Sequence, residues 1–135
     1  MGAGSVGMET AEYLIGRGHH VIVADFRTQA PVMTVSGHGY FLHQALKEGG
    51  GEMLLRTKVT AVIPEGAVVS TDEGEKELAV DTVVWAVGAV SEKAVAEQAK
   101  KAGVKVVPVG DAVKPRRMLE AIHEGQKAAE QLLYD

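Results

Sequence analysis

The sequence predicts an α/β fold built on a doubly wound parallel sheet, and three observations carry that prediction. Short, nearly all-apolar runs alternate with segments of helical periodicity, as expected where helices cover both faces of parallel strands. Residues 58–80 depart from this, alternating at period two between turn signals, which predicts a three-stranded antiparallel meander. The composition is 46% hydrophobic but only 4% aromatic, with 16 glycines in 135 residues. A core made from it must use small aliphatic side chains.

Taken in order, the elements begin at Ser5, where Val6, Ala11, Leu14 and Ile15 recur near helical spacing and Gly16-Arg17-Gly18 ends the run. Val21 to Asp25 is a short apolar strand. Phe26 to Gly37 has no period and contains Pro31, which predicts a loop. Tyr40, Phe41, Ala45 and Leu46 mark a short helix ending at Gly49-Gly50-Gly51, and Met53 to Arg56 reads as a strand. Lys58 to Ile63, Ala67 to Thr71 and Glu77 to Val80 form the meander, separated by Pro64-Glu65-Gly66 and Asp72-Glu73-Gly74. Thr82 to Val87 reads as a buried strand, Glu92 to Ala102 as a helix, and Val104 to Val109 as a second buried strand. The last helix is expected to begin near Pro115, a favoured first-turn residue. Met118, Ile122, Gly125, Ala129 and Leu132 give it one apolar or small face.

Composition excludes several function classes. With no cysteine, the chain has no disulfide framework, dithiol centre or thiolate metal site. A net charge of −4 offers no electrostatic footprint for nucleic acid or an anionic membrane. No apolar run approaches the ~20 residues of a membrane span, and no basic-then-apolar leader opens the chain. A cytoplasmic location is expected.

The chemistry-bearing motif is Gly2-Ala3-Gly4-Ser5-Val6-Gly7, which has the spacing of a dinucleotide-binding loop. Its first glycine allows a tight turn, its second lets a pyrophosphate approach the backbone, and its third lets the helix pack close to the sheet. Gly2, Gly4, Ser5, Val6 and Gly7 thus form a candidate phosphate cradle, because a helix N-terminus presents unpaired N–H groups to an anion. A strand ending in Asp25, about 20 positions on, completes the Rossmann-like signature. Asp25 is placed to accept hydrogen bonds from the adenosine ribose of NAD and to repel the 2′-phosphate of NADP. NADH is therefore preferred over NADPH, although Arg27 offers a phosphate some accommodation. The strand that should precede the glycine loop is absent, since only Met1 stands there. In a doubly wound sheet that strand is central, so a gap is expected beside Val21–Ala24. Val104 to Val109 is apolar enough to fill it, within the chain or from a second copy, and self-association through the gap is a further expectation.

With these segments read, the chain resembles the pyridine nucleotide–flavin oxidoreductases. It is most similar to the C-terminal region of NADH:flavin oxidoreductases of the 2,4-dienoyl-CoA reductase, 2-enoate reductase and trimethylamine dehydrogenase type. Three stretches carry the resemblance: the one from Gly2 to Ala11, Asp81-Thr82-Val83-Val84-Trp85-Ala86-Val87-Gly88-Ala89, and Gly110-Asp111-Ala112-Val113-Lys114-Pro115-Arg116-Arg117 continuing to Gly125. The resemblance implies an NAD domain over residues 1–102 that lacks its first strand. Residues 103–135 would then be the closing strand and helix of an FAD domain. It also implies that Gly88 lies near the nicotinamide, and that Gly110 and Asp111 lie by the flavin ribityl chain and pyrophosphate. A proline common after the strand-end glycine is replaced around Val90-Ser91. Hydride transfer from NADH to FAD is the activity implied for a full-length relative. This chain alone is expected to be catalytically incomplete, with no side chain acting as acid or base.

Other residues carry plainer readings. His19, His20, His38, His43 and His123 have no metal-ligand spacing, so no metal site is expected. Ser36, Ser70 and Ser91 lack the context of a hydrolase nucleophile. The acidic hairpin Asp72, Glu73, Glu75 and Glu77 reads as a solubilising turn, and Trp85 as core. Two alternatives from other classes are a stand-alone NAD-sensing regulatory module and a non-binding fragment that folds by self-association.

Overall fold

The computed structural model describes residues 1–35 and 37–134; Ser36 therefore lies outside the described residues. Two compact units divide the chain, Met1–Val87 and Gly88–Asp135. The first unit opens with α1 (Ser5–Ile15) and β1 (Ile22–Ala24), then α2 (Val32–Val35), α3 (His38–Glu48) and β2 (Glu52–Leu54). β1 and β2 pair in parallel, with Val23 opposite Met53. The meander follows as β3 (Lys58–Ile63), β4 (Gly66–Thr71) and β5 (Gly74–Ala79), in that spatial order and antiparallel throughout. A parallel sheet and a three-stranded antiparallel sheet are therefore both present, consistent with a Rossmann-like fold.

The core of this unit is made of small and medium aliphatic residues, as the composition requires. Met8 and Ala11 of α1, Val23 of β1, Val32 of α2, and Leu42 and Leu46 of α3 form one buried cluster with Ala3 and Ala30. On α1 the buried face is Met8 and Ala11, while Val6 is turned to solvent. The expected loop at 26–37 contains α2, a correction that tertiary packing explains: Val32 donates its N–H to the Ala3 carbonyl at 3.2 Å and buries its side chain in the cluster. That anchorage outweighs the weak local signal.

The second unit holds α4 (Ala94–Lys101), a 3-10 turn at Gly110–Ala112, and α5 (Met118–Tyr134). From Thr82 onward the structure corrects five expectations. Thr82–Val87 and Val104–Val109 form no strand, and Val84, Val87 and Val104 are exposed. A strand exists only through a ladder partner, and these runs lack one along most of their length among the described residues. Trp85 is 58% exposed and not core. The last helix starts at Met118, three residues after Pro115, because Arg116 donates its N–H to Asp111 Oδ1 and its Nε to the Lys114 carbonyl. Those bonds hold residues 114–116 in a non-helical path. Met118, Ile122 and Leu132 of the expected apolar face are exposed, and Ala128 is the buried residue of α5.

Candidate dinucleotide site

The glycine loop lies beside β1, to whose Ala24 carbonyl the Gly2 N–H donates, and leads into α1; its three glycines have three distinct physical reasons. Gly2 has φ +96°, and a Cβ there would run into the Ala86 carbonyl oxygen. Gly7 allows α1 to sit against the loop, since a Cβ would collide with the Gly2 carbonyl oxygen. Gly4 differs from both: its backbone is ordinary and extended, and nothing lies within 4 Å of the position a Cβ would take. It borders open space at the N-terminus of α1.

That N-terminus is uncapped. No side chain bonds to it and no acidic residue stands in the first turn. Met8 is the first residue whose N–H reaches back to a helical carbonyl, that of Gly4 at 3.0 Å. Ser5, Val6 and Gly7 therefore carry the N–H groups that a helix start leaves without an intrahelical acceptor, with the positive end of the helix dipole behind them. Ser5 and Val6 are exposed.

Asp25 follows β1 and is 4% exposed. Its Oδ2 accepts the Ala3 N–H at 2.9 Å and its Oδ1 accepts the Arg27 N–H at 2.9 Å. The Arg27 guanidinium lies 3.6 Å from Oδ2 and is itself half exposed. The structure thus brings Gly2, Gly4, Ser5, Val6, Gly7, Asp25 and Arg27 together at one end of the parallel sheet. In this arrangement Asp25 braces the glycine loop from below. Each carboxylate oxygen can accept more than one hydrogen bond, and the Arg27 guanidinium stands beside Oδ2.

Gly88, Gly110 and Asp111 lie in the second unit. Gly110 donates its N–H to Glu124 Oε2 at 2.8 Å, and the other oxygen of Glu124 takes the Arg116 guanidinium. The Gly110 N–H and then the Arg116 hydrogen bond hold the Glu124 carboxyl below the usual carboxylate range. Sequence reasoning missed this residue. Glu124 stands one helical turn after Glu120, on the same face, in the recognised stretch, but only folding brings it to Gly110. Asp111 is exposed and accepts the Arg116 N–H at 3.3 Å. Among the described residues no group of three or more His, Cys, Asp or Glu is arranged to hold a metal ion. Nor is any described helix long and apolar enough to cross a membrane.

Residues 1–118 match the family described as pyridine nucleotide-disulphide oxidoreductase. The chain belongs to that family. Bilirubin reductase of Mediterraneibacter gnavus is 31% identical over 130 residues, covering 96% of this chain and 20% of the relative. Metal reductase of Desulforamulus reducens is 35% identical over 85 residues, 62% of this chain and 13% of the relative. Among solved structures, the 6-hydroxypseudooxynicotine amine oxidase of Pseudomonas geniculata N1 superposes with a TM-score of 0.81 at 24% identity, over 93% of this chain and 20% of that one. The chain spans a fifth or less of the length of the curated relatives it matches.

Proposed function

We propose that the chain is the NADH-binding part of an FAD-dependent pyridine-nucleotide oxidoreductase, with the dinucleotide pyrophosphate lying over Gly4 at the start of α1. The observation that carries this reading is the bare face of Gly4 beside uncapped N–H groups. An anion is what such a helix start lacks. Family membership and relatives named as reductases support the redox assignment.

In this reading residues 1–102 serve the nicotinamide dinucleotide, and residues 103–135 are the closing piece of a flavin domain. The nicotinamide supplies a hydride and the flavin accepts it, so the chemistry belongs to the cofactors and the protein contributes position and electrostatics. Ser5, Val6 and Gly7 hold the phosphates by their backbone. Asp25 fixes the loop that presents them and, once Arg27 moves aside, receives the adenosine ribose. Its negative charge disfavours a 2′-phosphate, which gives the preference for NADH. Toward a flavin the chain offers the exposed Asp111 carboxylate, while the Gly110 N–H is already held by Glu124. The exposed apolar residues of α5 are explained if a larger flavin domain covers them.

The test is a titration of the purified chain with NADH and with NADPH, read by nicotinamide fluorescence. Saturable binding that favours NADH is expected. Failure of both nucleotides to saturate overturns the reading.

A further inference from the structure

One carboxylate in the second unit is tied to two places in the chain. Glu124 Oε2 accepts the Gly110 N–H at 2.8 Å, and Oε1 takes the Arg116 guanidinium. An ion pair in open solvent contributes little. Here the Arg116 and Glu124 side chains are only 31% and 28% exposed, and the carboxylate also holds a charge-assisted bond to backbone. Gly110 and Arg116 stand at the two ends of the segment that runs from the 3-10 turn toward α5. Glu124 therefore closes residues 110–116 into a loop pinned at both ends to one helical residue.

The rest of the loop is fastened in the same sense. Gly110 has φ +61°, and a Cβ there would stand 3.1 Å from the Ala121 methyl. Ala121 and Glu124, three apart, share one face of α5, so the Gly110 backbone rests directly on that face. Its carbonyl accepts the N–H groups of Val113 and Lys114 at 3.0 and 3.2 Å, and Arg116 Nε donates to the Lys114 carbonyl at 3.1 Å. The Gly110 N–H and carbonyl are thus both engaged, and the acceptor that the turn leaves in solvent is the Asp111 carboxylate. Asp111 Oδ1 accepts the Arg116 N–H at 3.3 Å, and Oδ2 is bonded to no described residue. A bond that long lies beyond the usual N–H···O range. Alone it does not offset the rotamer freedom of an exposed side chain. It holds Asp111 only if the backbone of residue 116 is itself fixed, and the Glu124–Arg116 pair supplies that.

We infer that Glu124 and Arg116 are positioning residues for Asp111, keeping its carboxylate in one rotamer with Oδ2 left for a hydroxyl donor. The inference rests on the flavin reading above. A turn that offers an acceptor and no available Gly110 N–H fits the hydroxyl groups of a flavin's polyol chain and not its phosphates. Glu124 touches no part of the cofactor in this arrangement and acts only through the loop.

The test is nuclear magnetic resonance of the 135-residue chain with no cofactor added. Three-bond couplings from the Asp111 Cγ to its backbone nitrogen and carbonyl carbon report the side-chain rotamer. Values of a single staggered rotamer are expected in the parent. Glu124→Ala and Arg116→Ala should both reduce them to rotamer averages, although Arg116→Ala leaves in place the N–H that bonds Asp111. In Glu124→Ala, exchange of the Arg116 Nε–H should accelerate about tenfold or more. The Ala128 amide should keep its protection in both variants, because the clamp holds the loop and not the helix. Three results would overturn the inference: averaged couplings in the parent, a single rotamer that survives both substitutions, or loss of protection at Ala128 as well, which would make Glu124 an anchor of α5. All of these readouts are taken without nucleotide or flavin, so their failure is distinct from a failure of either cofactor to bind.

Discussion

Gly4→Ala separates folding from binding at the candidate site. The Gly4 backbone, at φ −75° and ψ −179°, is one that any residue adopts, and the added methyl would meet nothing within 4 Å. The substitution should leave the fold intact, because the gain of about 0.4–1 kcal/mol from restricting the unfolded chain offsets alanine's poorer fit at the helix N-cap that Gly4 occupies. A pyrophosphate, however, must approach that bare face to reach the N–H groups of Ser5 and Val6. Displacing it by a methyl radius forfeits at least one charge-assisted hydrogen bond, worth about 1.5–3 kcal/mol. That corresponds to roughly 10- to 150-fold in Kd. The assay pairs a thermal melt with the NADH titration. A variant that melts like the parent and binds NADH with unchanged affinity would refute the placement of the pyrophosphate over Gly4. One that fails to fold would refute the claim that the space is open.

Three further predictions follow from the same geometry. Gly7→Ala should fail to give a folded first unit, because its Cβ collides with the Gly2 backbone rather than with a movable side chain; circular dichroism and solubility would show this. Asp25→Ala removes the acceptor of the buried Ala3 N–H, and it should cost about 1–3 kcal/mol in a denaturant melt as well as about 10- to 100-fold in NADH affinity. Loss of affinity with no loss of stability would contradict the bracing role. Glu124 has a lowered pKa in the folded chain, so its tie to Gly110 contributes stability that is fully present above the ordinary glutamate value of about 4.3. The contribution is lost as pH falls through the folded value. Exchange of the Gly110 amide should accelerate over that acid range, and Glu124→Gln should abolish the acid-linked step.

Much of the fold was legible because its signals are local. Period-two alternation and paired turn residues marked β3 and β4, and β5 needed only an earlier start at Gly74. The glycine spacing and the acid after β1 named the residues that meet at the start of α1. Burial is what local pattern does not encode. Val84, Trp85 and Val104 are apolar enough for interior strands, yet apolarity states only that a residue can be buried. A partner must be there to bury it, and among the described residues these runs have almost none.

Asp25 shows the same division at a single residue. Its type and distance from Gly4 are sequence facts, and they predicted a ribose acceptor. Folding gives its oxygens to Ala3 and Arg27 first, because a carboxylate beneath a glycine-rich turn meets unpaired backbone donors before it meets any ligand. The sequence by itself determined the parallel and antiparallel sheets, the loop of glycines and the family. Tertiary structure alone decided that α2 packs under the loop and that Glu124 reaches Gly110. Those outcomes depend on contacts between residues distant in the chain, which no local pattern encodes.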